Sequence, residues 1–120
     1  MRVVGVFLLG IGLLSATGTL SARSPAIETG GVVRAADLPQ EARETLALIR
    51  QGGPFPYSRD GAVFANREGR LPPASPGAYR EYTVKTPGSR DRGARRIIAA
   101  GSHQFWYTAD HYRSFGRIVE

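Results

Sequence analysis

Between positions 38 and 51 the apolar side chains fall at helical spacing. Leu38, Ala42, Thr45, Leu46 and Ile49 recur every three or four residues, with Glu, Arg and Gln between them, which predicts one amphipathic helix over 38–51. Asp37 is placed to cap it, Pro39 is tolerated in its first turn and Gln40 completes an Asp-x-x-Gln capping pattern. Gly52-Gly53 ends it, since glycine accepts the left-handed conformation beyond a helix C-terminus. After that the period changes to two. Tyr79, Glu81, Thr83 and Lys85 alternate with Arg80, Tyr82 and Val84, the pattern of a strand with two different faces. Further strands are expected at Gly31 to Arg34, Ala62 to Ala65, Arg95 to Ala100, Phe105 to Thr108 and Ser114 to Val119. The three prolines between Leu71 and Gly77 exclude regular structure there. One helix followed by hairpin-connected strands predicts an α+β domain with an antiparallel sheet.

The N-terminus has a different character. Met1-Arg2 precedes the apolar run Val3 to Leu14, and small residues follow at Ser15 to Gly18 and at Ser21-Ala22. A basic start, an apolar run and a small-residue exit are the order of a secretory signal peptide. Residues 1–23 are therefore expected to be a leader and 24–120 the domain, with export to the extracellular space and no stable membrane association after cleavage. The competing reading, an uncleaved anchor, requires about 20 apolar residues; the run from Val3 to Leu14 falls short of that, although it can be extended to Leu20.

The 120-residue chain contains no cysteine, so a single small domain must hold together by packing alone. Setting aside Arg2 and Arg23 leaves 14 basic residues against 10 acidic ones, and a positive balance of this size favours an anionic partner, nucleic acid or an anionic surface. The only histidines are His103 and His111 and no acids are spaced as a carboxylate cage, which leaves no metal-ligand pattern. No Gly-x-Ser-x-Gly elbow and no phosphate-binding glycine loop occurs either. What remains is Glu81 on a strand, the arginines Arg90, Arg92, Arg95 and Arg96 just after a Pro-Gly turn, and His111 between two aromatic stretches. A carboxylate, fixed cations and an imidazole can together cleave an RNA phosphodiester. RNA carries its own nucleophile, so a base must take the 2′-hydroxyl proton, an acid must protonate the departing 5′-oxygen, and cations must hold the charged phosphorus group. Taken singly, each residue also has a plainer reading: a salt-bridged surface acid, a solvated arginine hairpin, a structural histidine.

Their neighbours carry a resemblance. Gly53-Pro54-Phe55-Pro56-Tyr57, Asp60-Gly61, Phe64-Ala65-Asn66-Arg67-Glu68, Leu71-Pro72, Glu81-Tyr82-Thr83-Val84, Thr86 to Arg92, Arg95-Arg96-Ile97-Ile98 and Tyr107 to Tyr112 resemble the secreted bacterial guanyl-specific ribonucleases, the small members of the barnase-like microbial family. The similarity runs from about Gly31 to Val119. It implies one helix packed on a twisted antiparallel sheet whose concave face holds the active site, and cleavage 3′ of guanosine without metal or cofactor. Glu81 falls on the family's general base, His111 on its general acid, and Arg92 and Arg96 on its phosphate-binding arginines. Tyr112 matches a tyrosine that contacts the phosphate. Base recognition falls on Phe64 to Glu68: the Glu68 carboxylate accepts from the N1 and N2 donors of guanine, the amides of Asn66 and Arg67 donate to O6, and Phe64 or Arg67 covers the base. Many relatives carry glutamine where Ala65 stands, and a backbone contact there survives the change. Relatives are often held by a small acidic proteinaceous inhibitor, which a basic active-site face suits; otherwise the protein is expected to be monomeric with RNA as its partner. Two other classes compete: a catalytically silent RNA-binding protein on the same fold, and a cationic protein of membrane or cell wall.

Overall fold

The computed structural model describes residues 31–120, so the expected leader lies outside the described residues. In chain order these form strand β1 (Gly31–Arg34), a 3-10 turn (Ala35–Asp37), helix α1 (Gln40–Gln51), and strands β2 (Ala62–Val63), β3 (Tyr79–Thr83), β4 (Arg96–Ala100), β5 (Gln104–Thr108) and β6 (Gly116–Val119). The strands join in one sheet in the order β1-β6-β5-β4-β3-β2. All neighbouring pairs are antiparallel except β1, which runs parallel to β6 with Val33 opposite Ile118.

The helix starts two residues later than its periodicity predicts, and Asp37 is not its cap. Leu38 precedes a proline, whose ring disfavours the helical region for the residue before it, and Leu38 is extended at φ −68°, ψ 151°. Pro39 takes the N-cap position, its carbonyl accepting from the amides of Ala42 and Arg43, while Asp37 closes the preceding 3-10 turn. The Arg43 guanidinium donates to the carbonyls of Ala36 and Leu38 across this junction. Leu38 still belongs to the core, because the 3-10 turn delivers it there. At the other end Gly52 is left-handed at φ 85°, and the Gly53 amide donates back to the Leu48 carbonyl at 2.9 Å. The strands at 62, 79 and 114 are shorter than their patterns predict: β2 ends at Val63, Lys85 lies beyond β3, and β6 begins at Gly116.

The sheet has two working faces. Ala42 and Leu46 of α1, with Leu38, pack against Val84, Ile97, Ala99, Phe105, Tyr107 and Ile118. Thr45 ties the helix to the sheet, its hydroxyl donating to the Thr83 carbonyl at 3.2 Å. On the opposite face Tyr79, Ile98, Trp106 and Phe115 close over Leu71, with Phe64 and Tyr112 against them. Alternation along β3 therefore sends Tyr82 to the helix side and Tyr79, Glu81 and Thr83 to the other. Among the described residues no helix is long and apolar enough to cross a membrane.

Candidate active site

Glu81 is central to the second face and is only 6% exposed. Four side chains converge on its carboxylate. Its Oε1 accepts from the Tyr112 hydroxyl at 2.8 Å and from Arg92 Nη2 at 3.1 Å, and Arg96 Nε lies 3.7 Å away. Its Oε2 is met by Arg59 Nη2 at 3.2 Å. Burial alone would push the Glu81 carboxyl up. The bonds from Tyr112 and Arg92 and the charges of Arg92 and Arg59 outweigh burial, and the group lies below the usual glutamate value. Burial and the same bond to Glu81 push the Tyr112 hydroxyl up to about 12, so it stays a donor.

Each partner is itself held. Arg92 Nε donates to the Thr83 hydroxyl at 3.1 Å, one alternation step along β3 from Glu81. Arg96, the first residue of β4 and opposite Thr83, is 2% exposed. Its Nη1 donates to the carbonyls of Gly93 and Arg95 at 3.0 and 2.8 Å, and its guanidinium carbon lies 6.0 Å from the centre of the Tyr112 ring. Asp60 pins the loop that carries Arg59, accepting from the amides of Thr83 at 2.8 Å and Tyr57 at 3.2 Å.

The corner after β5 presents His111 and Tyr112, both with positive φ, 57° and 76°. Asp110 organises it by accepting from the Thr108 hydroxyl (2.9 Å), the amides of Arg113 (3.1 Å) and Ser114 (3.0 Å) and the Ser114 hydroxyl (2.6 Å). Burial acts to raise the Asp110 carboxyl, but these donors prevail and lower it. The His111 amide donates to the Ala94 carbonyl at 2.9 Å, joining the corner to the arginine loop, and its exposed ring lies 4.7 Å from that of Tyr112.

The loop Phe64 to Glu68 borders the same face. The Phe64 ring packs 4.9 Å from Tyr112. Asn66, left-handed at φ 57°, turns its amide inward: Nδ2 donates to the Leu71 carbonyl at 3.0 Å and Oδ1 accepts from the Leu71 amide at 3.1 Å. That side chain shapes the loop, and the Asn66 carbonyl accepts from the Gly69 amide at 3.0 Å. Ala65, Arg67 and Glu68 are exposed, and among the described residues Glu68 has no side-chain hydrogen bond or ion pair. Two grooves, of about 440 and 380 Å3, lie beside this loop, and Glu81 lines neither; the carboxylate cluster sits on the open sheet face.

Glu81, Arg92, Arg96 and Tyr112 are thus brought into contact, with His111 and Phe64 against Tyr112. Arg59 was not legible as part of this group. It belongs to an irregular loop, brought to the carboxylate by the pairing of Ala62 with Glu81 and by the bond from the Thr83 amide to Asp60. A carboxylate kept ionised and surrounded by three guanidinium groups, with an exposed imidazole against the tyrosine that donates to it, can move protons at a bound phosphodiester.

Known proteins share this frame. The ribonuclease family model matches residues 22–119. Guanyl-specific ribonuclease St of Saccharopolyspora erythraea is 54% identical over 94 residues, covering 77% of this chain and 93% of that protein. Guanyl-specific ribonuclease Sa of Kitasatospora aureofaciens is 53% identical over 92 residues, covering 76% of this chain and 96% of that protein. Ribonuclease Sa2, solved in complexes with mononucleotides, superposes with a TM-score of 0.74 at 47% identity, over 81% of this chain and 98% of that one. The chain belongs to the guanyl-specific ribonucleases of the barnase-like microbial family.

Proposed function

We propose that Glu81 is the general base and His111 the general acid of this guanyl-specific endoribonuclease, with Arg92 and Arg96 holding the scissile phosphate. The enzyme cleaves RNA 3′ of guanosine through a 2′,3′-cyclic phosphate. In the first step Glu81 takes the proton of the guanosine 2′-hydroxyl. The O2′–P bond forms, the P–O5′ bond breaks, and His111 gives its proton to the leaving 5′-oxygen. The guanidinium forks of Arg92 and Arg96 match the phosphate oxygens, whose charge grows in the transition state. In the second step the two groups exchange roles: His111 takes a proton from water, the water oxygen bonds to phosphorus, the O2′–P bond breaks, and Glu81 returns a proton to O2′, leaving the 3′-phosphate. The observation that carries this reading is the buried Glu81 carboxylate, held ionised by Tyr112 and Arg92.

Guanine falls to the Phe64–Glu68 loop. The exposed Glu68 carboxylate accepts from N1 and N2, the Asn66 and Arg67 amides donate to O6, and Phe64 or Arg67 covers the base; Ala65 contributes backbone only. Adenine lacks both donors that Glu68 needs. We further propose export of residues 24–120 after removal of a leader of about 23 residues, on the order of basic, apolar and small residues at the N-terminus. A monomeric enzyme, kept in check by a small acidic inhibitor protein that covers the basic face, is consistent with the charge balance.

The test is turnover of GpC with chelator present, with ApC and a Glu81→Ala protein as controls. Guanosine 2′,3′-cyclic phosphate from GpC, little product from ApC and a loss of roughly a hundredfold or more in the variant are expected. A folded protein that leaves GpC intact overturns the assignment.

A further inference from the structure

Beyond the Glu81 cluster, one row of the sheet continues outward. Glu81 on β3 is opposite Ile98, Ile98 is opposite Trp106 on β5, and Trp106 is opposite Arg117 on β6. These residues share a face, and three strand spacings place the backbone at Arg117 about 14 Å from that at Glu81. Over this end of the row lies the groove of about 380 Å3. Its walls are Leu71, Pro72, Trp106 and Phe115, with Arg70 and Arg117 on its rim, and no acidic residue lines it. Both arginines are exposed. Among the described residues neither guanidinium makes a side-chain hydrogen bond or an ion pair, unlike Arg59, Arg92, Arg95 and Arg96. Apolar walls with two uncommitted guanidinium groups fit a single-stranded polyanion that also carries flat apolar faces.

The groove is continuous with the guanine loop, since Gly69, the residue after Glu68, lines it. It begins where that loop ends, and the row separates it from Glu81 and Arg92, where the phosphate on the 3′ side of guanosine belongs. We propose that this groove is a subsite for the RNA on the 5′ side of the cleaved guanosine. Arg70 and Arg117 take upstream phosphates, and the Leu71–Pro72 wall takes a base without sequence preference. The inference rests on the assignment of guanine to Phe64–Glu68, and it makes the enzyme favour guanosines inside a strand over those at a 5′ end.

The test compares uncleavable oligonucleotides in which guanosine lacks its 2′-hydroxyl: the GpC analogue, a 5′-extended ApApGpC analogue and a 3′-extended GpCpApA analogue, titrated calorimetrically. The 5′ extension is expected to tighten binding on the order of tenfold, as charge-assisted bonds to phosphate do. Arg70→Ala and Arg117→Ala should each remove part of that gain and lower the salt slope by about 0.7, and the double variant should abolish it. Cleavage of GpC should stay at the wild-type rate in all three variants. Absence of a 5′ gain in the wild-type protein, loss of the 3′ gain instead, or equal weakening of all three ligands overturns the subsite. Failure of the wild-type protein to cleave GpC would count against the catalytic assignment alone, because the binding arm still reads the groove.

Discussion

Asp110 offers the sharpest link between local structure and catalysis. Its carboxylate accepts four hydrogen bonds from Thr108, Arg113 and Ser114, and the two residues that follow it, His111 and Tyr112, both have positive φ. Left-handed backbone costs a side-chain-bearing residue about 1–2 kcal/mol, so the corner persists only because something holds it. Asp110→Ala removes the acceptor. The exposed Arg113 amide can turn to water, whereas the half-buried Ser114 amide and hydroxyl lose partners that water replaces only in part. One buried donor left unsatisfied costs about 1–3 kcal/mol. With the weakened corner added, a loss of about 2–3 kcal/mol is expected, or roughly 10–20 °C in Tm for a domain of this size. Relaxation of the corner also moves His111 and Tyr112, and a displacement near 1 Å at a reacting group costs up to about a hundredfold in rate. Asp110→Asn, which keeps one acceptor oxygen, should fall between wild type and alanine in both measurements. The folded-state pKa of Asp110 is depressed, so its contribution is fully present above the unfolded value and is lost as pH falls through the folded one. The difference in Tm between wild type and Asp110→Ala should therefore shrink in acid. An alanine variant melting within about 2 °C of wild type at pH 7, or a difference that is constant down to strong acid, refutes the reasoning.

Tyr112→Phe removes the larger of the side-chain bonds that lower Glu81, and Arg59→Ala removes one charge. Both should move the acid limb of the kcat/KM profile upward, Tyr112→Phe by more; limbs that coincide with wild type would exclude Glu81 as the group titrating there. Gly93 has φ +66°, and a Cβ there would stand 2.5 Å from the Thr86 hydroxyl oxygen. Gly93→Ala should lower stability in urea by at least about 1–2 kcal/mol and reduce turnover, because the Gly93 carbonyl anchors Arg96; a shift only in stability would separate the turn from the site. Leu46→Ala, in the core on the helix face, should cost about 2–5 kcal/mol while kcat/KM per folded molecule stays near wild type, and a rate that falls with stability would show that the two faces are coupled.

Much of this arrangement was legible in the chain, and the rest failed for identifiable reasons. The period-two pattern at 79–85 separates Glu81 and Thr83 from Tyr82 and Val84, and the packing of Tyr82 and Val84 against the helix-side core then decides that the carboxylate faces away from it. The cap at Asp37 was misread because a capping pattern and a pre-proline restriction competed at Leu38, and the steric restriction prevailed. Parallel pairing of β1 with β6 joins residues some 85 positions apart, a contact no local period announces. Arg59 was hidden for a related reason. Loop residues carry no periodicity, and Asp60, which aims that loop by accepting from Thr83 and Tyr57, reads in sequence as half of an Asp-Gly turn. Glu68 was named from the company it keeps in the chain; its own surroundings show only an exposed carboxylate.

The charge at the centre of the site explains why such a buried group is kept. One carboxylate, Glu81, faces Arg59, Arg92 and Arg96, and the Arg96 side chain is 3% exposed. Removing such groups from water costs several kcal/mol per ion, and the pairing that offsets the cost needs matched charge. Here the positive groups outnumber the negative one, and Arg96 Nε, buried, has no hydrogen-bond partner among the described residues. An anion on this face supplies both the missing charge and the missing acceptor. A phosphodiester meets that requirement, and the growing charge on phosphorus oxygens in the transition state meets it better. Arginine is suited to the role because its guanidinium stays charged when buried, where lysine would shed its proton. In the resting protein Glu81 is the counter-ion of all three guanidinium groups, and the base role proposed for it asks the same group to act once substrate is bound. Both fit one group because, among the described residues, its Oε2 is met by Arg59 alone, and that side chain is 60% exposed.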